Sequence, residues 1–186
     1  MQNDSNRRTF LKKTSVAAAG VALTSTVAKT AHAAGSDEIR FVLIGCGGRG
    51  NGAAKQIMST KGNVKLVAVA DPFEHKSASA LKGLGRGENK DKVDVPPERV
   101  FGGLDGYKKA IDVESDLVII ATPPGFKPQQ FEYAVNKGRH IFMEKPVASD
   151  AIGVRRVLDA VEESKKKDLM VGIGLQRRHE PRYMET

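Results

Sequence analysis

A doubly wound α/β fold, a parallel sheet with helices on both faces, is the class that this 186-residue sequence predicts, and three features carry that reading. Short apolar runs alternate with helix-length segments from Ile39 onward, the pattern of strands joined by crossover helices. The runs Phe41-Val42-Leu43-Ile44, Leu66-Val67-Ala68-Val69 and Leu117-Val118-Ile119-Ile120 do not alternate with polar residues, so both faces of each strand should be covered, as in parallel sheets. A glycine-rich turn directly follows the first run, at the strand-to-helix junction where such sheets bind their ligands.

In chain order, strands are expected at 40–44, 64–70, 117–121, 140–143 and 169–172, with a weaker one near 99–101. Helices fit at 51–59, from 72 to about 82, at 129–137 and at 151–166, where Ser149 or Asp150 would cap the last one. Gly62 and Gly138 stand where helices should stop. Between them, residues 83–97 carry Gly83-Leu84-Gly85-Arg86-Gly87, many charges and Pro96-Pro97, which reads as a mobile surface loop.

Composition narrows the function classes. With 40% hydrophobic and 28% charged residues, the chain is an ordinary globular protein. Its single cysteine, Cys46, excludes an intramolecular disulfide and a cysteine-rich metal site, and no metal is expected. Half of the net charge of +8 comes from the first 33 residues, which hold Arg7, Arg8, Lys12, Lys13 and Lys29 against Asp4. The densest basic run beyond them, Lys165-Lys166-Lys167, has no interleaved aromatics and falls at a helix end, where cations complement the macrodipole. Nucleic acid is therefore not an expected partner.

Gly45-Cys46-Gly47-Gly48-Arg49-Gly50 matches G-x-G-x-x-G between the first strand and a helix. The first glycine permits the tight turn, the second lets backbone approach a pyrophosphate, and the third lets helix and strand pack closely. A second strand follows and ends at Asp71, 21 residues after Gly50, the place of a ribose-binding acid in a Rossmann-type fold. A carboxylate there accepts ribose hydroxyls and repels a 2′-phosphate, and neither Pro72 nor Phe73 offers a cation to receive one. NAD is favoured over NADP. A methyltransferase binding S-adenosylmethionine also pairs a glycine turn with such an acid, and the later motifs argue against it. Cys46 reads as a small residue filling the turn rather than a nucleophile, because no His-centred constellation accompanies it.

Those later motifs are Ala121-Thr122-Pro123-Pro124 after the fourth strand and Glu144-Lys145-Pro146 after the fifth, joined by a helix that ends Asn136-Lys137-Gly138-Arg139-His140. With the glycine turn, this ordered set resembles the Gfo/Idh/MocA family over about residues 38–179. The resemblance implies that Thr122 and Pro123, with Ala121 and Pro124, lie against a dinucleotide. It also implies that Lys145 points toward nicotinamide and substrate, where its ammonium polarises the reacting hydroxyl or carbonyl and takes part in proton transfer, with Glu144 helping to position it. Strand carboxyl ends are also where open parallel sheets bind ligands on physical grounds. His75 and His140 read as a surface residue and a strand-entry residue. Gln176, Arg178 and His179 follow the sixth strand and either line a substrate pocket or belong to a salt-bridged linker.

The implied activity is NAD-dependent oxidoreduction of a sugar or cyclitol. Two other readings stay open: a glycosidase of the same broad family, which oxidises its substrate transiently with bound NAD, and a non-catalytic dinucleotide-binding module. The resemblance further implies a second, substrate-binding domain, so residues 34–174 are expected to be the cofactor domain and 175–186 the start of a linker toward a substrate domain largely absent from this chain. The chain as given should then bind dinucleotide yet turn over little substrate. Self-association into a homo-oligomer is left open.

Residues 1–33 resemble a twin-arginine export signal: Arg7-Arg8-Thr9-Phe10-Leu11-Lys12, a mildly apolar run of 13 residues from Val16 to Ala28, then Ala31-His32-Ala33. About 20 apolar residues are needed to cross a bilayer as a helix, so no permanent membrane span is expected. The resemblance implies passage through the twin-arginine machinery to the periplasm or beyond, with the exported chain beginning near Ala34.

Overall fold

The computed structural model describes residues 37–185. The expected export signal and cleavage site fall outside the described residues. Six strands form one all-parallel sheet in the order β3-β2-β1-β4-β5-β6. They are β1 (Ile39–Ile44), β2 (Val64–Ala70), β3 (Val100–Phe101), β4 (Leu117–Ile120), β5 (His140–Met143) and β6 (Val171–Ile173). The helices are α1 (Gly48–Met58), α2 (Glu74–Leu84), α3 (Gly106–Asp112), α4 (Lys127–Asn136), α5 (Ala151–Lys166) and the single turn α6 (Pro181–Met184).

The predicted two-sided burial is explicit in β1. Phe41 and Leu43 join a core with Ala54, Met58 and Leu84 from α1 and α2, whereas Val42 and Ile44 join a core with Ile111, Phe131 and Val157 from α3, α4 and α5. Because successive side chains of a strand point to opposite faces, an uninterrupted apolar run fits only a strand covered twice. The order reverses between β1 and β4, and the carboxyl ends of these two strands carry the glycine turn and the Thr122 segment. This is the crevice that binds ligands in open α/β sheets.

Several expectations change. α1 starts at Gly48 rather than residue 51, so the glycine turn supplies its first helical turn. α3 was not legible in the sequence: its seven residues are shorter than a full amphipathic repeat, yet Tyr107, Ala110 and Ile111 are buried. The stretch 83–97 is not simply a loop. It finishes α2 with the buried Leu84, makes 3-10 turns at Gly87–Lys92 and Pro97–Arg99, and bridges Val93 to Leu66. Lys92 Nζ donates to the Met58 and Thr60 carbonyls at 2.5 and 3.4 Å, fastening this stretch to the end of α1. Gly62 does not stop α1, which closes at Ser59 with Ser59 Oγ and Thr60 Oγ1 donating to the Gln56 and Ile57 carbonyls.

Gly138 does stop α4: at φ 71° it lets Gly138 N–H reach the Val135 carbonyl and Arg139 N–H the Ala134 carbonyl, the Schellman pattern. Asp168, at φ 54°, ends α5 in the same way, which delays β6 to Val171 instead of residue 169. Asp150 caps α5 by accepting from Gly153 N–H at 2.7 Å. The lysine run ends in local pairing, since Lys165 and Lys166 meet Glu162 and Glu163 while Lys167 Nζ donates to the carbonyls of Val135 and Asn136. No helix among the described residues is long and apolar enough to cross a membrane.

Candidate functional site

A cleft of about 600 Å³ opens at the switch point between β1 and β4. Of the residues expected to touch a dinucleotide, all but Cys46 and Gly50 line it. The three motif glycines divide by what surrounds them. A Cβ on Gly45, already at φ 90°, would lie 2.8 Å from the Ala121 carbonyl carbon, and a Cβ on Gly50 would lie 1.9 Å from the Gly45 oxygen. Protein backbone therefore requires both. Gly47 has ordinary extended dihedrals (φ −75°, ψ −176°) and nothing within 4 Å of a Cβ position. Its lack of a side chain leaves open space at the start of α1, where no acidic residue and no side-chain cap occupies the first-turn amides. Such a free helix start receives phosphate anions.

Asp71 closes the first wall. It is 6% exposed, its Oδ2 accepts from Cys46 N–H at 2.9 Å, and its Oδ1 accepts from Phe73 N–H at 3.0 Å. The same carboxylate thus sets the glycine turn and keeps further lone pairs for a ligand hydroxyl. Behind the turn, the Cys46 thiol approaches the Ala70 carbonyl and receives the Ser77 hydroxyl, both at 3.7 Å. Burial, with the Asp71 charge nearby, pushes the thiol up to about 11 against the lowering effect of Ser77. Its side chain is buried in the core with Ala53 and Ala54 of α1.

The opposite wall comes from β4, α4 and β5. The Thr122 hydroxyl is buried and donates to Gln130 Oε1 at 2.5 Å. Glu144 is 3% exposed, and its Oε1 pairs with Arg49 Nη2 of the glycine turn at 2.5 Å; hydrogen bonding to that carboxylate raises the Arg49 guanidinium above its ordinary value. A Cβ on Gly174 would sit 2.5 Å from the same oxygen, so a side chain at the exit from β6 would displace the Glu144 carboxylate. Lys145 is exposed and borders both the main cleft and a second hollow of about 590 Å³ formed with Leu175, Gln176, Arg177 and Arg178. His179 is exposed and does not line that hollow. Beyond β6 the chain forms a 3-10 turn, Gln176–His179, and α6, with the Arg177 guanidinium 5.2 Å from the Tyr183 ring. His75 packs near Phe73, and His140 Nδ1 accepts from Met170 N–H at the start of β5.

Sequence reasoning missed Lys127 and Gln130. Lys127 is 2% exposed, and its ammonium donates to the carbonyls of Glu144, Lys145 and Pro146 at 2.6, 3.1 and 2.9 Å. Burial lowers its affinity for a proton, the Glu144 carboxylate opposes that shift, and the Lys145 cation adds to it. No local signal marks this lysine, because its acceptors lie 17 to 19 residues further on.

These walls fit a dinucleotide: an uncrowded glycine and free helix amides for its phosphates, and a buried acid at the end of β2. The family model described as an oxidoreductase family with an NAD-binding Rossmann fold, GFO_IDH_MocA, matches residues 39–173. The chain belongs to this family. Among Gfo/Idh/MocA relatives, an inositol 2-dehydrogenase of Rhizobium meliloti is 35% identical over 146 residues, covering 78% of this chain and 38% of the relative. A glycosyl hydrolase family 109 protein of Shewanella sp. strain ANA-3 is 28% identical over 183 residues, covering 89% of this chain and 39% of that protein. The scyllo-inositol dehydrogenase of Lactobacillus casei, solved with NAD(H) and scyllo-inositol bound, aligns with a TM-score of 0.64 at 27% identity, covering 80% of this chain and 39% of that one. The chain therefore spans about two fifths of the length of these Gfo/Idh/MocA proteins, and the matched part is their NAD-binding domain.

Proposed function

We propose that this protein is an NAD-dependent oxidoreductase of a cyclitol or sugar, with the glycine turn, Asp71 and the Ala121-Thr122-Pro123-Pro124 segment holding the dinucleotide and Lys145 serving the reacting hydroxyl or carbonyl. The observation that carries it is the position of Lys145, an exposed ammonium at the border between the NAD cleft and the second hollow. NAD, when bound, supplies the hydride acceptor. Lys145 can donate a hydrogen bond to substrate oxygen and, once neutral, take its proton. Gln176 and Arg178 line the substrate side, Glu144 fixes Arg49, and Asp71 accepts the ribose hydroxyls. Preference for NAD over NADP follows from the Asp71 charge.

The test is calorimetry of NAD and NADP with the wild type and Asp71→Ala, together with NADH formation from inositols. Hydrogen bonds to a charged group contribute roughly 1.5–3 kcal/mol each, so Asp71→Ala should weaken NAD binding about tenfold or more. Equal affinity for both dinucleotides, unchanged by the substitution, would remove the cofactor assignment. In a protein that also carries the substrate domain, lack of inositol-dependent NADH would count against the reaction.

One observation favours a second reading, a glycosidase that oxidises its substrate transiently with NAD: the similarity to the Shewanella glycosyl hydrolase covers 89% of this chain, whereas that to the Rhizobium dehydrogenase covers 78%. Hydrolysis of a chromogenic glycoside without net NADH would select it. We also propose export by the twin-arginine route with a new start near Ala34, supported by Arg7-Arg8 and the small residues Ala31 and Ala33. Mass spectrometry of extracytoplasmic material should find that start, and an intact amino terminus in the cytosol would refute it.

A further inference from the structure

We propose that Lys127 is the positioning residue of the Glu144-Lys145-Pro146 turn: its ammonium gathers the three carbonyls of that turn and so sets where the Lys145 ammonium lies. The proposal rests on the role given to Lys145 above.

Lysine is almost never fully buried unless its charge is paired, and among the described residues no carboxylate forms an ion pair with Lys127. Three successive carbonyls take that place at 2.6, 3.1 and 2.9 Å, one for each donor of the ammonium. Carbonyl oxygens aimed at one point repel each other unless a cation stands there, so the turn and the lysine depend on one another. Lys127 is also the first residue of α4, the end of a helix where a cation is disfavoured by the macrodipole. Its own helix therefore gives no reason for a buried cation here; the turn does.

Comparison with two other lysines separates this arrangement from general fastening. Lys92 and Lys167 also donate to backbone carbonyls, but at the carboxyl ends of α1 and α4, where a cation complements the dipole. Neither lines the cleft. Lys127 lines it and is bonded to the carbonyl of Lys145 itself.

The experiment uses the full chain and has two arms. In the cofactor-free protein, the Lys127 ammonium should give a distinct, slowly exchanging 15N resonance, and Lys127→Gln should shift the amide signals of Glu144, Lys145 and Val147. A solvent-averaged Lys127 resonance, or an unmoved turn in the variant, overturns the inference. The first of these readouts needs only the wild type, so poor folding of Lys127→Gln does not obscure it. In the second arm NADH is titrated by its fluorescence into the wild type, Lys127→Gln, Lys145→Ala and the double variant. Lys127→Gln should weaken NADH about tenfold and move the emission maximum of the bound nicotinamide, and it should cost little more in the Lys145→Ala background. Additive losses, or unchanged NADH affinity with a displaced turn, would show that Lys127 does not act through Lys145. Failure of the wild type to bind NADH would instead strike the proposed function and leave the first arm to decide about Lys127.

Discussion

Two alanine substitutions three residues apart should fail in different ways. At Gly50 a Cβ would lie 1.9 Å from the Gly45 oxygen, more than 1 Å inside the 3.0 Å below which such contacts essentially do not occur. Both partners are backbone, so no flexible side chain can yield, and α1 must move away from the end of β1. Overpacking of this kind costs about 1–3 kcal/mol. At about 2–4 °C per kcal/mol for a domain of this size, Gly50→Ala should lower the melting temperature by roughly 2–12 °C. Gly47 has dihedrals that alanine adopts freely and empty space around its Cβ position. Gly47→Ala should leave stability unchanged or raise it by about 0.4–1 kcal/mol through the unfolded chain. Its added methyl occupies the space left for the pyrophosphate, so NADH affinity should fall about tenfold or more, at least ~1.4 kcal/mol. Thermal unfolding by circular dichroism and NADH titration by fluorescence, run on both variants, give four numbers. Wild-type NADH affinity in Gly47→Ala, or a wild-type melting point in Gly50→Ala, would refute this division of labour among the glycines.

Other outcomes follow from single residues. Because burial pushes the Cys46 thiol up to about 11, only about one molecule in a thousand carries the thiolate at pH 8; a disulfide reagent should leave the native protein untouched for minutes and label it fully in denaturant. Asp168 holds φ 54° at the end of α5, so Asp168→Gly should stabilise the fold by about 0.5–1 kcal/mol in urea titrations, relief of left-handed strain outweighing added chain entropy. Asp112 is held below the usual carboxylate range by Lys137 and then Tyr133. A depressed folded value means that its contribution is present above the unfolded value of about 3.9 and is lost as pH falls through the lower folded one. The pair is nearly half exposed, so solvent screening keeps this contribution under about 1 kcal/mol. Asp112→Asn should flatten the acid limb of a stability-against-pH curve slightly, and a loss at pH 7 equal to that at pH 2 would contradict the assignment.

The cleft's first wall was legible in the sequence because its determinants are local. Turn, strand and acid lie within 33 residues, from Ile39 to Asp71, and each is constrained by its neighbours: Gly45 by a positive φ, Gly50 by contact with Gly45, Asp71 by the end of a strand whose direction the apolar run reveals. The uninterrupted apolar runs likewise determined a sheet covered on both faces, since no other arrangement removes both sides of such a strand from water. The ordered motifs already named Thr122, Pro123, Glu144 and Lys145 of the second wall, and tertiary structure decided the hydrogen bonding that holds it. Lys127, Gln130 and Arg49 are ordinary polar residues until β4, α4 and β5 bring distant carbonyls, a threonine hydroxyl and a buried carboxylate against them. Three-dimensional packing also made a helix of residues 106–112, too short to show a repeat, and gave helical turns to a segment whose glycines and prolines read as loop. Periodicity reports how a chain meets water, whereas a buried hydrogen bond depends on which remote backbone arrives beside a side chain, and that is fixed only when the sheet has closed.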